Sequence, residues 1–233
     1  IPQAQVEETV REYGYKGKLT VVENGNDFAS NITGSLQDYK TDAKKRLGVN
    51  PDTLELLFVG QHIWEKGIRT ILEAAALLKR KIDFHLNFIG TGYAIDEMKS
   101  MISKLGIEKY VTLHGVIKDR EKLSDFYAAS DLFLFPSFYD NAPLVVREAA
   151  AMGTPSVLLE GSTASEVVVD KVNGFLTLQD SVVFAKEVEM IAKDRKLLRE
   201  VANGARNSLV RSWEDVVGEV VDRYNVIVRN YKK

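Results

Sequence analysis

Cysteine is absent from all 233 residues. That excludes a thiolate zinc site, a thiol nucleophile and a redox pair, and nothing in the chain demands an oxidising compartment. A cytoplasmic location is the expectation. Long apolar runs are also lacking: none approaches the roughly 20 residues a bilayer requires, and the opening IPQAQVEETVREYGYKGK is too polar for a signal-peptide core. No membrane span is expected. An excess of one charge is missing too, since Lys+Arg number 31 against Asp+Glu 33, for a formal net charge of -2. No bulk attraction to nucleic acid or to an anionic membrane follows, so any anion must be bound locally. The three histidines, His62, His85 and His114, are scattered, and no carboxylate cluster has metal spacing, so no protein-bound metal or other cofactor is implied. What remains is 45% hydrophobic and 27% charged, enough core for one large domain or two small ones. The chain begins at Ile1 rather than methionine, in a linker-like stretch, which suggests a domain of a longer protein.

From Leu54 onward short β-rich runs alternate with helical patterns, the mark of a parallel sheet covered by crossover helices. The strands are expected at LELLFVG (54–60), FHLNFIG (84–90), VTLH (111–114), LFLF (132–135) and SVLL (156–159). The helices between them run over 68–79, 95–105, 120–129 and 143–152, and 181–233 reads as consecutive helices. Apolar strands of this continuity are buried on both faces. In an open sheet of this kind ligands sit beyond the carboxyl ends of the strands, so the loops after those strands are where a site is expected.

The segment FPSFYDNAPLVVREAAAMGTP (135–155) carries the most chemistry. LFLF stops at Pro136, and Pro143 suits a first helical position, where its missing N–H costs nothing. The helix start therefore opens into the crevice, with free N–H groups and a positive dipole end that suit phosphate. Asp140 lies before the helix, and Glu148 lies inside it on the Leu144 face. Carboxylates are good bidentate acceptors for vicinal hydroxyls, so a ribose on one side and a hexose on the other would fit them.

An acid, seven residues, then Glu-Ala on a helix running into Gly-x-Pro-x-Val resembles the donor-site signature of family-4 retaining glycosyltransferases of the GT-B fold. Other segments are similar to that family in the same order: ENGND (23–27), FVGQHIWEKGI (58–68), GTG (90–92), HGV (114–116), EVVVDKVNGFL (166–176) and SWEDV (212–216). The resemblance implies the C-terminal, nucleotide-sugar-binding half of such an enzyme: a doubly wound parallel α/β sheet, Rossmann-like, with extra C-terminal helices. It divides the chain into a linker and first strand over 1–35, the α/β domain over 36–212, and a last helix over 213–233 that would cross back to a missing N-terminal acceptor domain. The stripe Trp213, Val217, Val220, Tyr224, Ile227 and Tyr231 gives that helix one apolar face.

The resemblance also implies roles. Glu148 grips the ribose hydroxyls, and Asp140, where the family usually has Glu, contacts the donor sugar. Lys66 neutralises the diphosphate as it leaves. Gln61 stands where the family usually has arginine, and His62 beside it, with an ordinary pKa of about 6.5, replaces that charge poorly. The amides of Ala142, Leu144 and Val145 face phosphate and sugar. Gly90, Gly92 and Gly115 let a nucleotide approach the backbone, and the backbone near Val116 and Ile117 contacts the base. Ser162 and Thr163, where relatives carry glycines, either hydrogen-bond the donor or cap the short helix SEVVV, and the cap is the favoured reading. The implied reaction moves a hexose from a UDP- or GDP-linked donor to an acceptor glycan or lipid, with retention, and needs no metal. Acceptor and any peripheral attachment to a membrane belong to the missing domain, so the fragment alone is expected to be inactive. The alternatives are a non-catalytic nucleotide-sugar-binding module and a GT-B epimerase.

Overall fold

The computed structural model describes residues 3–32, 34–140 and 143–231. Helix α1 (Gln3–Glu12) leads through an irregular stretch and a 3-10 turn (Phe28–Asn31) to α2 (Leu36–Leu47), and then the alternation begins. It runs β1 (Leu54–Val59), α3 (Ile68–Leu78), β2 (Phe84–Ile89), α4 (Ile95–Leu105), β3 (Val111–Leu113), α5 (Arg120–Ala129), β4 (Leu132–Phe135), α6 (Leu144–Ala151), β5 (Ser156–Leu159) and β6 (Phe175–Thr177). Three helices close the chain: α7 (Ser181–Lys193), α8 (Arg195–Leu209) and α9 (Trp213–Tyr231). All strand pairs are parallel, in the order β3-β2-β1-β4-β5-β6. This is the doubly wound arrangement, with its topological switch between β1 and β4.

The five expected strands and the helices between them are present, their ends shifted by a residue or two. Residues 1–35 differ from expectation: the described part holds α1 and a 3-10 turn, and no strand. Helix α2 and strand β6 lie outside the expected elements. The first, LQDYKTDAKKRL, is too polar to show an apolar stripe, and only Ala43 is fully buried. Its ends hold it instead. Ser35 Oγ accepts from Asp38 N at 3.1 Å, and Gly48 closes the other end at φ 65°, where glycine escapes the steric cost of a left-handed turn. Lys40 then ties the helix down, donating to Met152 O and Gly153 O at 3.2 Å and to Thr154 Oγ1 at 3.3 Å. Burial pushes its pKa down to about 8. Strand β6 is the short segment FLT, with no α-helix between it and β5 to mark it as the next unit of the alternation.

Every residue of β1 is buried, because helices flank the sheet in two groups. Helix α3 packs on α4 and α7, while α2, α5, α6 and α8 pack in succession. Phe58 sits at the centre, its ring 5.4 Å from that of Phe88 and 6.1 Å from that of Phe135. Truncating a buried Phe of this kind costs about 3–5 kcal/mol. Helix α9 contributes only Val216 to the buried set. Trp213, Val217, Val221, Tyr224, Ile227, Val228 and Tyr231 are all exposed, whereas Val220 is half-buried.

Candidate functional site

The loops after β1, β2 and β3 are stitched together at the carboxyl edge of the sheet. Gly60 N donates to Ile89 O at 3.0 Å, Gly90 N to Gly115 O at 2.8 Å, His62 N to Thr91 O at 2.9 Å and Ala94 N to His62 O at 3.0 Å. This stitching leaves no room for side chains. A Cβ on Gly90, whose φ is 136°, would lie 1.9 Å from Gly60 O, and one on Gly92 would lie 2.3 Å from His62 O. The contact that requires glycine at these two positions is therefore with the neighbouring loop. Gly115 differs: its φ is 69°, and a Cβ there would meet nothing within 4 Å. Val116 beside it is exposed. Gln61 is exposed as well, while His62 is fully buried between the rings of Phe58 and Phe88. Burial lowers the His62 pKa, so it sits beneath the loop as a neutral packing group and supplies no charge to a phosphate.

Lys66 ends a 3-10 turn over Trp64–Lys66. Gly67 follows at φ 73°, and a Cβ there would fall 2.0 Å from Pro136 O. That close approach presses the loop after β1 against the chain leaving β4. The result is an ion pair: Lys66 Nζ lies 2.5 Å from Asp140 Oδ2, and each side chain is only 19% exposed. Their expected tasks are separate, and the structure brings the two side chains together. Thr163 fixes the backbone of Asp140, accepting from Asp140 N and donating to Asp140 O, both at 2.7 Å. Thr163 is thus a clasp for the acid loop. The short turn Thr163–Ser165 carries no side-chain cap hydrogen bond from Ser162, so the expected cap at Ser162 and Thr163 is not formed.

Helix α6 starts at Leu144, with Pro143 in the cap position at φ −63° and no side-chain cap. The amides of Leu144 and Val145 precede the first intrahelical bond, which leaves them available to an anion. Ala142 lies outside the described residues. Glu148 is half-buried one turn on, and its Oε2 accepts from Tyr127 OH on α5 at 2.9 Å. Burial raises the Glu148 pKa above the ordinary carboxylate value; the Tyr127 bond and Arg120 draw it down, and Asp27 pushes it up. Arg120 pairs with Asp27 and lies over the Phe28 ring, so the ENGND segment packs beside α5 and α6. Neighbouring Arg147 ties the same segment to the end of α8, donating to Glu23 Oε2 at 3.1 Å and to Leu209 O at 3.0 Å.

Tyr127 and Arg120 are members of this constellation for which the sequence offers no part in the site, and Thr163 holds the acid loop rather than capping a helix. ENGND stood out as a motif without a task. Tyr127 looks like any core aromatic on an amphipathic helix. Among the described residues no group of three His, Asp or Glu side chains is placed to hold a metal ion.

A helix start, an acid before it, a glutamate within it and a lysine from the loop after β1 thus converge at one sheet edge. Residues 39–208 match the family described as glycosyl transferases group 1. The chain belongs to this family. Among curated relatives, a D-inositol 3-phosphate glycosyltransferase of Xylanimonas cellulosilytica is 28% identical over 227 residues, covering 94% of this chain and 54% of that protein. An uncharacterised glycosyltransferase of Methanocaldococcus jannaschii is 26% identical, covering 90% and 54%. The chain therefore spans about half the length of the curated relatives it matches. Among solved structures, sucrose-phosphate synthase from Thermosynechococcus elongatus superimposes with a TM-score of 0.83 at 22% identity, over 99% of this chain and 58% of that one. Anabaena HepE in complex with UDP and glucose gives 0.81 at 21%, over 96% and 61%. These likenesses establish the α/β Rossmann-like half of a GT-B fold. No helix among the described residues is long and apolar enough to cross a membrane.

Proposed function

We propose that this chain is the donor-binding domain of a retaining glycosyltransferase of the family-4 type, moving a hexose from a nucleoside diphosphate sugar to an acceptor hydroxyl. The observation that carries it is the Lys66–Asp140 pair set against the uncapped start of α6, with Glu148 one turn inside. Glu148 takes the ribose diol, and the amides of Leu144 and Val145 take phosphate oxygens under the positive end of the helix dipole. The loop at Gly115 and Val116 leaves open space for a base. The Asp140 carboxylate neutralises Lys66. A diphosphate takes that place on binding, which frees Asp140 to accept from sugar hydroxyls. During transfer the C1–O bond to phosphate breaks as the acceptor oxygen bonds to C1 on the same face, and the acceptor proton passes to the departing phosphate oxygen. Lys66 and the α6 dipole oppose the charge that develops there. Complexes of Anabaena HepE with UDP, with and without glucose, support this class of donor.

Acceptor binding falls to a further domain, and the exposed apolar face of α9 is where that domain would seat. A second reading, a module that binds the donor without transferring it, is favoured by Gln61: it is exposed and uncharged where the resemblance places arginine. Assay of a longer parent protein with and without acceptor separates the two. Binding itself is tested by thermal denaturation of this chain with UDP-, GDP- and ADP-sugars. At 100 times its dissociation constant the right donor adds about 2.7 kcal/mol; no shift with any of them at millimolar concentration overturns the proposal.

A further inference from the structure

Tyr127 is fully buried, and its hydroxyl emerges beneath Glu148 from a different helix. Its ring is gripped on two sides. Phe28 meets it edge-on with centroids 5.5 Å apart, and Phe133 lies at 5.8 Å. The ring is confined, and the acceptor its hydroxyl meets is Glu148 Oε2. We infer that Tyr127 is a positioning residue for donor recognition, fixing the plane of the Glu148 carboxylate so that its remaining lone pairs face a ribose diol. This rests on the ribose assignment proposed for Glu148.

The hydrogen-bond inventory supports the division of labour. A carboxylate has about four acceptor positions, and two vicinal hydroxyls need two of them in one plane. The Tyr127 bond occupies one position on Oε2, and Oε1 has no hydrogen bond among the described residues. Untethered, a glutamate at the head of a crevice would sample several rotamers, and donor binding would have to order it. A tyrosine is well suited to the task because it donates without carrying charge, so it favours the carboxylate form of its partner without competing as a salt bridge would. Its own ionisation is remote, since burial and the Glu148 charge raise its pKa well above 10.

The charged and titratable groups facing Glu148 are Tyr127 and Arg120 from α5 and Asp27 from the segment before α2. Removing the Tyr127 hydroxyl deletes one of the two influences that hold the Glu148 pKa down. The carboxylate would then take up its proton at a higher pH, and the acid limb of nucleotide affinity would move up with it.

The test is calorimetric titration of UDP, GDP and ADP into the chain and its Tyr127→Phe, Glu148→Ala and doubly substituted forms. In Tyr127→Phe, the nucleotide that binds best should lose about tenfold in affinity at pH 7, and the pH at which affinity is half lost on acidification should rise. In the Glu148→Ala background the same change should cost less than twofold, because Tyr127 acts through Glu148. Equal losses in both backgrounds, or an unmoved acid midpoint, overturn the inference. Should Tyr127→Phe fail to fold, Phe28→Leu loosens the seat of the Tyr127 ring instead, and equal losses of nucleotide affinity in the native and Glu148→Ala backgrounds are then the overturning result. No nucleotide binding by the unsubstituted chain, or full affinity in Glu148→Ala, would instead remove the ribose assignment itself.

Discussion

Lys66 and Asp140 are 74 residues apart in sequence and 2.5 Å apart in space, and their partnership alters what a substitution at either should do. An ammonium held by a neighbouring carboxylate is less available to an incoming phosphate. Asp140→Asn keeps the shape of the side chain and removes its charge, so free UDP or GDP should bind about fivefold more tightly, a gain on the order of 1 kcal/mol for a part-buried pair. The sugar conjugate should gain less or lose, because it would forfeit a carboxylate acceptor for its hydroxyls. Calorimetry with both ligands reads the difference directly; weaker binding of the free nucleotide would show that Asp140 does not compete for Lys66. Glu148 differs in kind, since its expected target is the ribose common to both ligands.

At the scale of elements the site depends on how closely two strand-end loops approach. Gly67 is the point of contact: its φ is 73°, and an added Cβ would lie 2.0 Å from Pro136 O. Both the left-handed backbone and the clash oppose any side chain. Gly67→Ala should therefore cost more than about 2 kcal/mol and separate Lys66 from Asp140, so nucleotide binding should fall with it. Gly115→Ala provides the contrast, since φ there is 69° but nothing lies within 4 Å. It should cost only about 1–2 kcal/mol. Urea denaturation of the two variants checks the order, and equal midpoints would mean that the Gly67 approach is relaxed in solution.

For the whole molecule the decisive feature is that every proposed donor contact comes from one side of a crevice. A GT-B reaction centre lies between two domains, and this chain spans about half of each curated relative described above. It should bind donor and transfer nothing. Closure by a second domain brings the acceptor and excludes water, and the proximity it creates is worth roughly 7–11 kcal/mol of barrier. Incubation with radiolabelled donor and the parent protein's acceptor should yield no product. Turnover comparable to the parent would mean that residues 1–233 hold a complete catalytic centre.

Strands β1 to β5, the crossover helices and the crevice edge were legible in the sequence because they depend on local pattern. Apolar runs such as LELLFV and LFLF can be buried only in a covered sheet, and the spacing of Asp140 and Glu148 around a proline sets both at one helix start. Helix α2 escaped notice because its stability comes from caps and from Lys40 rather than from an apolar stripe. What surrounds the two acids was decided by tertiary structure. Glycines 90 and 92 serve the packing of one loop on another, His62 is taken into the core between Phe58 and Phe88, and Lys66 turns to Asp140. Tyr127 comes to lie beneath Glu148. Each of these depends on atoms from different elements meeting within a few ångströms, and no periodicity along the chain records a distance across it.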